Sequence, residues 1–261
     1  MINTLKRHMN YAKFVNKTIQ KTFGLFKLKL TRIASHGFPV DTEKEIIKFI
    51  NISSQFSMTG SHRMYILYRL ISYIKANKLE GDFVECGVWR GGNILLYKFL
   101  NDFYHLNKSI FGYDTFEGMT TPGEFDIDHK EISAIQQLKN NTKNENVENI
   151  HCYSSLESVS KNILKYNNLD NVHFIKGSVE KTLFEEKNLP KKISVLRLDT
   201  DWYESTKIEL EILYPKLVEG GVLIIDDYGH WKGARKAVDE FFDEKKFLHY
   251  VDYSCRYLIK K

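Results

Sequence analysis

The sequence predicts an α/β protein whose core is a doubly wound, mostly parallel β-sheet, with a helical extension at the N-terminus. From residue 82 onward, short apolar runs alternate with segments of helical spacing. The connections between these runs suit right-handed βαβ crossovers. Several runs stop abruptly at glycine or acidic residues, as strands do when they end at the ligand-binding edge of such a sheet.

The individual elements follow from the same patterns. The segment FPVDTEKEIIKFINI predicts a helix whose first turn is capped by Asp41 or Thr42. Strands are predicted at 82–86, 109–114, 171–177, 192–199 and 220–227, with a closing pair within 247–260. Helices are predicted at 61–76, from the glycines of the first loop to about 103, and at 155–166, 203–217 and 233–244. A long polar loop is expected after the second strand.

The N-terminal region differs in charge from the rest of the chain. Residues 1–40 contain eight Lys or Arg and no Asp or Glu, whereas the other 221 residues contain 30 basic and 33 acidic side chains. Apolar residues from Tyr11 to Phe26 recur at helical spacing beside lysines. We therefore expect residues 1–54 to form a basic helical extension and residues 55–261 to form the sheet domain. Either this helix lies on an anionic membrane surface or, as we favour, it packs on the domain or on a second subunit.

Composition argues against several classes of function. The chain outside the basic region is slightly acidic and has no basic stripe interleaved with aromatic residues, so nucleic-acid binding is not expected. No apolar run reaches the ~18 residues of a membrane span, and no secretory signal is apparent. The three cysteines form no CxxC pair, so we expect small core residues in a reducing compartment. The prediction is a cytoplasmic protein, with contact to the inner membrane surface only through its basic helix.

The residues at the predicted strand ends define the candidate site, because ligands of open α/β sheets bind beyond the carboxyl ends of the strands. The first loop, ECGVWRGGN, permits close backbone approach to a ligand but lacks the GxGxxG spacing of dinucleotide-binding proteins. An NAD-dependent oxidoreductase is therefore not expected. The carboxylate of Asp114, at the end of the second strand, can accept both hydroxyl hydrogens of a ribose. The glycine-containing first loop and Asp114 together predict that the site binds adenosine.

The acids after two later strands predict a metal site. Asp199, Asp226 and Asp227 offer hard carboxylate oxygens without cysteine, which favours Mg²⁺ over zinc. The alternative is a set of solvated loop acids or helix caps, and the same holds for Asp201.

Beside a metal, His230 is a candidate base or a group that orients a substrate hydroxyl. Three tryptophans in strand-end loops are either core residues or a wall for a flat ligand or sugar ring: Trp89, Trp202 and Trp231.

Five stretches of the chain carry a resemblance to a known enzyme family. They are GDFVECGVWRGG, YDTFEGM, LRLDTDWYEST, LYPKLVEGGVLIIDDYGHWKGARKAVDEFF and VDYSCR, within about residues 55–258. The chain resembles the macrocin O-methyltransferase family, S-adenosylmethionine-dependent enzymes that methylate sugar hydroxyls on macrolides and related natural products. The resemblance implies a class I methyltransferase fold, which is a Rossmann-like sheet of seven strands with the last strand antiparallel.

The resemblance also implies roles for individual residues. Asp199, Asp226 and Asp227 would hold Mg²⁺, and Asp199 would act as the base, with His230 as the less favoured base. Residues expected to contact substrate are Trp202, Ser205 and Trp231. Residues expected to bind S-adenosylmethionine are Met58, Thr59, Glu85, Gly87, Val88, Trp89, Asn93, Asp114, Thr115, Phe116, Ser178 and Val179.

Some segments depart from the family pattern. Asn93 stands where a serine is usual, Ser178 stands where a lysine is common, and DYSCR replaces DYTGR. Residues 1–40 and the stretch from Thr120 to Asn149 do not match closely. Acceptor choice is expected to depend on these unmatched segments, so the resemblance does not define the acceptor.

The sequence thus predicts a Mg²⁺-dependent enzyme that transfers a methyl group from S-adenosylmethionine to a sugar hydroxyl. The sugar would belong to a glycan, a nucleotide sugar or a glycosylated natural product. One alternative is a methyltransferase of the same fold that acts without metal or on a non-sugar hydroxyl, such as a phenol or a lipid. Another is a non-catalytic or membrane-tethering protein. The acceptor, the methylated position and the oligomeric state, including a homo-oligomer, stay open.

Overall fold

The described part of the chain, residues 37–242 and 246–261 of a computed structural model, alternates strands and helices as the sequence predicts. The strands are β1 (Asp82–Cys86), β2 (Ile110–Asp114), β3 (Val172–Lys176), β4 (Ile193–Leu198), β5 (Leu217–Ile225), β6 (His249–Tyr250) and β7 (Arg256–Ile259). The α-helices are α1 (Lys44–Ser53), α2 (Ser61–Ala76), α3 (Gly92–Phe103), α4 (Ala134–Asn140), α5 (Leu156–Leu164), α6 (Val179–Thr182), α7 (Tyr203–Leu213) and α8 (Lys232–Phe241). None of the described helices has the length and apolar character needed to cross a membrane.

These strands form one sheet in the order β3-β2-β1-β4-β5-β7-β6. The pairs among β1 to β5 are parallel, whereas β7 runs antiparallel to both β5 and β6. The predicted doubly wound sheet of seven strands with an antiparallel last strand is confirmed. The strand order reverses between β1 and β4, and in such sheets a ligand crevice opens at this switch point.

Alternate residues of β1 point to opposite faces of the sheet, and each face packs on its own group of helices. On one face, the ring of Phe83 stacks on Tyr97 of α3 with centroids 5.3 Å apart. Helix α3 in turn contacts α1, α2 and α5. On the other face, Val84 belongs to a buried cluster with Leu210 of α7 and Val238 of α8. Because both faces are covered, the central strands are mostly apolar, and the charged side chains Glu85 of β1 and Arg197 of β4 are exceptions inside the sheet.

The N-terminal boundary and the first helix differ from the expectation. Helix α1 begins after Glu43, and no side chain caps its first turn, so the predicted cap by Asp41 or Thr42 is wrong. Ile46 and Ile50 of α1 are fully buried, and the compact unit of the chain runs from 41 to 261. These contacts place α1 with the sheet, whereas the sequence assigned it to the extension. Residues 1–36, including the predicted amphipathic helix, lie outside the described residues.

The backbone ladder continues one residue beyond the central strands and aligns the loops that follow them. The amide of Gly87 donates to the Tyr113 carbonyl at 2.8 Å, and the amide of Asp199 donates to the Cys86 carbonyl at 2.9 Å. The Asp226 amide likewise lies 3.0 Å from a carbonyl of β4. These bonds bring the first residues of three loops side by side, which creates the floor of the crevice.

We predict that Gly87→Ala strongly destabilises the fold. Gly87 has a φ of +88°, and an added Cβ would lie 2.0 Å from the carbonyl oxygen of Asp199. The strain and displaced loop should lower the free energy of unfolding by about 2–4 kcal/mol in urea titrations. Gly123→Ala is the matched control, because its Cβ would lie 3.6 Å from the nearest atom, and it should change stability by less than ~0.5 kcal/mol. Equal stability of the two variants would contradict the close approach.

Candidate active site

A cavity of about 420 Å³ opens at the carboxyl ends of the central strands. This volume lies within the range of small-molecule sites. Most of the residues that the sequence assigned to cofactor, metal or substrate line it. These are Met58, Thr59, Gly87, Val88, Trp89, Asn93, Asp114, Thr115, Ser178, Val179, Asp199, Ser205, Asp226, Asp227, His230 and Trp231. Glu85, Phe116 and Trp202 do not line the cavity and lie behind its wall.

Asp114 joins the loop after β1 to the end of β2. Its carboxylate accepts hydrogen bonds from the backbone amides of Val88 at 2.7 Å, Trp89 at 3.0 Å and Phe116 at 2.7 Å. Burial raises the pKa of Asp114, while these three amides oppose the rise. Phe116 takes part only through its backbone in this contact, because its ring packs edge-on against Phe174 and is 2% exposed. Phe116 was expected near the ribose, and its ring lies behind the cavity wall, so that role stays a prediction for its backbone.

Two polar atoms of residues that line the cavity are buried without partners. Among residues 37–242 and 246–261, the indole nitrogen of Trp89 finds no acceptor and the amide oxygen of Asn93 finds no donor. Trp89 is 8% exposed and Asn93 5% exposed, and both line the cavity. Since buried polar groups are rarely left unpaired, these atoms are places where a bound ligand can complete the hydrogen bonding.

Arg197, the single charged residue within β4, lies at the centre of the site. Its guanidinium is 3% exposed and donates to Glu85 at 2.7 Å, to Asp199 at 2.6 Å, to Asp226 at 2.6 Å and to the hydroxyl of Thr59 at 3.0 Å. Burial raises the pKa of Glu85 to about 7, although the arginine opposes this. Glu85 was expected to touch the cofactor, but it is 1% exposed and instead anchors Arg197 from the neighbouring strand.

A second arginine, Arg63 of α2, holds the same acidic cluster from the other side. It is ion-paired with Asp226 and binds both oxygens of Asp252, at 2.5 and 3.1 Å. Burial works against ionisation of Asp252, but the bonds from Arg63 and from the amides of Ser254 and Cys255 lower its pKa. Asp226 is therefore fixed between two guanidinium groups, one on each of its oxygens.

Three of the carboxylates converge closely enough to share a cation. Asp199, Asp226 and Asp227 each offer one oxygen, and these oxygens lie within 4.8 Å of one another. One oxygen of Asp227 is buried and has no hydrogen-bond partner in the described chain. Burial raises the pKa of Asp199 and Asp227 well above the usual range, and the neighbouring acids add to the rise. A bound cation would reverse this effect, because it favours the ionised carboxylates.

Asp201 adds a fourth carboxyl group to the cluster. It lines the cavity at a φ of +70°, which is a strained conformation for a residue with a side chain. Burial raises its pKa to about 7, opposed by a hydrogen bond with Asp227 and supported by the charge of Asp199. The sequence reading named Asp201 among the strand-end acids but gave it no role in the site.

The three tryptophans of the strand-end loops divide into two groups. Trp89 and Trp231 line the cavity, whereas Trp202 is 2% exposed and packs on Trp231 with ring centroids 5.0 Å apart. The indole of Trp202 donates to the carbonyl of Thr120 at 3.1 Å. Trp202 thus supports the wall from behind and does not itself line the cavity, while its expected contact with substrate stays a prediction.

The segment 119–152, expected to be a loop, forms the remaining wall and contains α4. Asp126, 1% exposed, accepts the amide of Tyr203 at 2.8 Å and so ties the segment to the start of α7. Near its other end, Glu145 accepts the amide of Ser155 at 2.7 Å. Its cavity-lining residues are Met119, Thr120, Gln137, Asn149, Ile150 and Cys152. The segment is thus built into the site at both ends.

The cysteines follow the expectation in part. All three are free, and Cys86 and Cys255 are buried core residues. Cys152 instead lines the cavity at a φ of +43°. Burial raises the pKa of its thiol well above the usual value, with nearby aspartates adding to the shift, so it is a neutral wall residue rather than a nucleophile.

Comparison with known proteins identifies the family. A family described as Macrocin-O-methyltransferase (TylF) matches residues 5–260 of the chain. The chain belongs to the macrocin O-methyltransferase family. The resemblance found in the sequence motifs is confirmed, and the protein is an O-methyltransferase.

Individual members of this family are clearly similar. The demethyldecarbamoylnovobiocin O-methyltransferase of Streptomyces niveus is 31% identical over 188 residues, 71% of this chain and 67% of that protein. The 8-demethyl-8-(2,3-dimethoxy-alpha-L-rhamnosyl)-tetracenomycin-C 4'-O-methyltransferase of Streptomyces olivaceus is 34% identical, with the same coverage of both chains. Among solved structures, the O-methyltransferase NovP superposes with a TM-score of 0.67 at 30% identity, covering 78% of this chain and 82% of that one. The class I methyltransferase fold is thereby confirmed.

Sequence reasoning missed the two arginines that organise the site of this O-methyltransferase. Arg63 lies in a helix whose pattern gives no sign of a function. Arg197 carried a usable signal, because a charged residue inside an otherwise apolar, doubly covered strand must be paired. The apolar residues around Arg197 show that its charge needs a buried partner. They do not show which acidic residues are the partners.

We predict that Arg197→Met destabilises the folded enzyme by about 3–5 kcal/mol, because it removes the cation paired with buried Glu85 and with Asp199 and leaves Asp226 with Arg63 alone. Denaturant unfolding measures the effect. Arg69→Met is the control, since Arg69 is exposed and, within the described residues, donates to a tyrosine hydroxyl at 3.2 Å rather than to a carboxylate. A loss below ~1 kcal/mol for Arg197→Met would show that the ion cluster is not a structural centre.

Proposed function

We propose that this O-methyltransferase transfers the methyl group of S-adenosylmethionine to a sugar hydroxyl of a glycosylated small molecule, with Mg²⁺ held by Asp199, Asp226 and Asp227. The observation that carries the proposal is a single cavity with the β1 loop and Asp114 at one end and three carboxylates within 4.8 Å at the other. The names of two relatives support the acceptor class, since one acts on demethyldecarbamoylnovobiocin and the other on a rhamnosyl-tetracenomycin.

The cofactor end offers groups that match the parts of S-adenosylmethionine. Asp114 keeps lone pairs for ribose hydroxyls beside the three amides that it already accepts. The unpaired atoms of Trp89 and Asn93 suit the polar methionine part. Bound there, S-adenosylmethionine supplies an electrophilic methyl group, which must face the acceptor oxygen at about 3 Å.

The acidic end has the charge and donors that a hard divalent cation requires. Five carboxyl groups meet here, on Glu85, Asp199, Asp201, Asp226 and Asp227. Among the described residues two arginines contact three of them, Glu85, Asp199 and Asp226, so the cluster holds more carboxyl groups than paired cations. Aspartate oxygens without cysteine suit Mg²⁺. A bound Mg²⁺ would lower the pKa of a coordinated hydroxyl group and hold its oxygen in place.

We assign the proton-accepting role to Asp199 rather than to His230. Arg197 binds one oxygen of Asp199 at 2.6 Å, which orients the carboxylate and leaves its second oxygen for the acceptor hydroxyl. Nδ1 of His230 lies 3.1 Å from the hydroxyl of Tyr253. Burial, together with His129, lowers the pKa of His230, so its ring is neutral near pH 7 and suited to contact with an uncharged acceptor.

We predict that Asp199→Asn reduces methyl transfer by a factor of about 10³ or more while S-adenosylmethionine still binds. The amide keeps the shape of the side chain but removes a metal ligand and the proton acceptor. Transfer is measured with labelled cofactor, and cofactor binding is measured by calorimetry. Asp170→Asn, an exposed acid after α5, is the control and should retain wild-type activity. A fully active Asp199→Asn enzyme would refute both roles of Asp199.

Removal of the metal gives a second test with its own readout. After dialysis against EDTA, added Mg²⁺ should raise the melting temperature by several degrees and restore activity, because the ion binds only the folded site. Asp227→Asn should abolish the thermal shift. Full activity in excess EDTA, with a melting temperature that does not respond to Mg²⁺, would rule out the metal while leaving O-methylation intact.

A further inference from the structure

Three rings stand together at the mouth of the cavity, and we call them the mouth triad: His129, His230 and Tyr253. Their centroids are 4.9 Å apart for His129 and His230, 5.7 Å for His129 and Tyr253, and 5.9 Å for His230 and Tyr253. His230 and Tyr253 line the cavity, whereas His129 is exposed on segment 119–152. The triad therefore continues the wall of the active site toward solvent.

Close backbone contacts fix two members of the triad. The amide of Gly229 donates to the Ser254 carbonyl at 2.9 Å, and a Cβ on Gly229 would lie 1.9 Å from the carbonyl oxygen of Tyr253. The hydroxyl of Ser254 donates to the carbonyl of Asp226 at 2.5 Å. His230 and Tyr253 are thus carried by two loops that touch along their backbones and are bonded to the backbone of Asp226, a residue of the acidic cluster.

The third ring is held in place by the start of segment 119–152. Residue 128 pairs with Trp231 in an antiparallel bridge, and the amide of Lys232 donates to the Ile127 carbonyl at 2.9 Å. The carboxylate of Asp128, 5% exposed, accepts the amides of Lys130 and Ile132, both at 2.8 Å. His129 projects from this tight turn, so its ring keeps its place in the triad.

The chemistry of the triad suits the face of a ring rather than a charged group. Tyr253 is 57% exposed although its loop is firmly held, and its hydroxyl is paired with Nδ1 of His230. The pairing occupies polar edges of His230 and Tyr253, and the exposed rings of Tyr253 and His129 offer surface to an apolar or planar ligand group. Of the acids behind the triad, Asp226 and Asp252 are paired with Arg63, and Asp226 also with Arg197, which reduces the negative charge near the mouth.

We propose that the mouth triad is a second ring subsite, which binds the ring attached to the sugar that is methylated. The position of the triad between the acidic end and solvent indicates the occupant. A sugar bound at the acidic end would direct its glycosidic substituent out of the cavity, past these aromatic rings. The subsite favours acceptors whose sugar carries a planar or apolar ring over simple alkyl glycosides. The proposal rests on the proposed sugar acceptor, and the experiment separates the two.

The test compares methyl α-L-rhamnoside with phenyl α-L-rhamnoside on the full-length enzyme with Mg²⁺. In the wild type, kcat/KM for the phenyl glycoside should exceed that for the methyl glycoside about tenfold, chiefly through KM, as expected for one aromatic stacking contact. In Tyr253→Ala and in His129→Ala the ratio should fall to about twofold or less. Tyr253→Phe keeps the ring and should keep the preference. Tyr250→Ala is the matched control, because Tyr250 is 70% exposed and outside the cavity, and it should keep the wild-type ratio.

A binding experiment makes the result independent of turnover. Ligand-observed NMR measures binding of the same two glycosides in the presence of Mg²⁺ and S-adenosylhomocysteine. Tighter binding of the phenyl glycoside that Tyr253→Ala removes supports the subsite, even if neither glycoside is methylated; in that case the sugar acceptor of the proposed function fails alone. Equal binding of the two glycosides, binding of neither, or a preference that survives in Tyr253→Ala and His129→Ala overturns the subsite.

Discussion

The ion cluster around Arg197 is the constraint on which the rest of the site depends. One buried guanidinium joins the ends of three strands, because it contacts Glu85 of β1, Asp199 after β4 and Asp226 after β5. Carboxylates at this spacing repel one another, and burial without a partner is highly unfavourable. The arginine therefore allows the acids to converge before any ligand binds, which prepares the site for a cation.

The cavity divides into regions with different physical character. At one end the backbone of the β1 loop and Asp114 provide amides and lone pairs, and at the other end carboxylates predominate. Beyond the acids, neutral aromatic rings line the mouth. This order matches a transfer reaction in which the donor, the reacting hydroxyl and the body of the acceptor occupy successive positions along one cavity.

Much of the fold and of the site was predictable because its signals are local. Strands β1 to β5 and the acids that follow them are encoded by apolar runs that stop at polar residues. Arg197 was missed because its partners Glu85 and Asp226 lie 112 and 29 residues away, which no local pattern reveals. Helix α4 has seven residues and is too short to be stable without tertiary contacts, so its sequence reads as a loop. Trp202 and Trp231 look alike in sequence, and only packing places one behind the other.

The most direct test of the central claim is anomalous diffraction from crystals grown with Mn²⁺ and S-adenosylhomocysteine. The account predicts one strong manganese peak at about 2.2 Å from an oxygen of each of Asp199, Asp226 and Asp227. Arg197 should remain bound to Asp199 and Asp226 in that structure, as it is here. The absence of a peak between these side chains, or carboxylates that have moved apart around solvent, would contradict it.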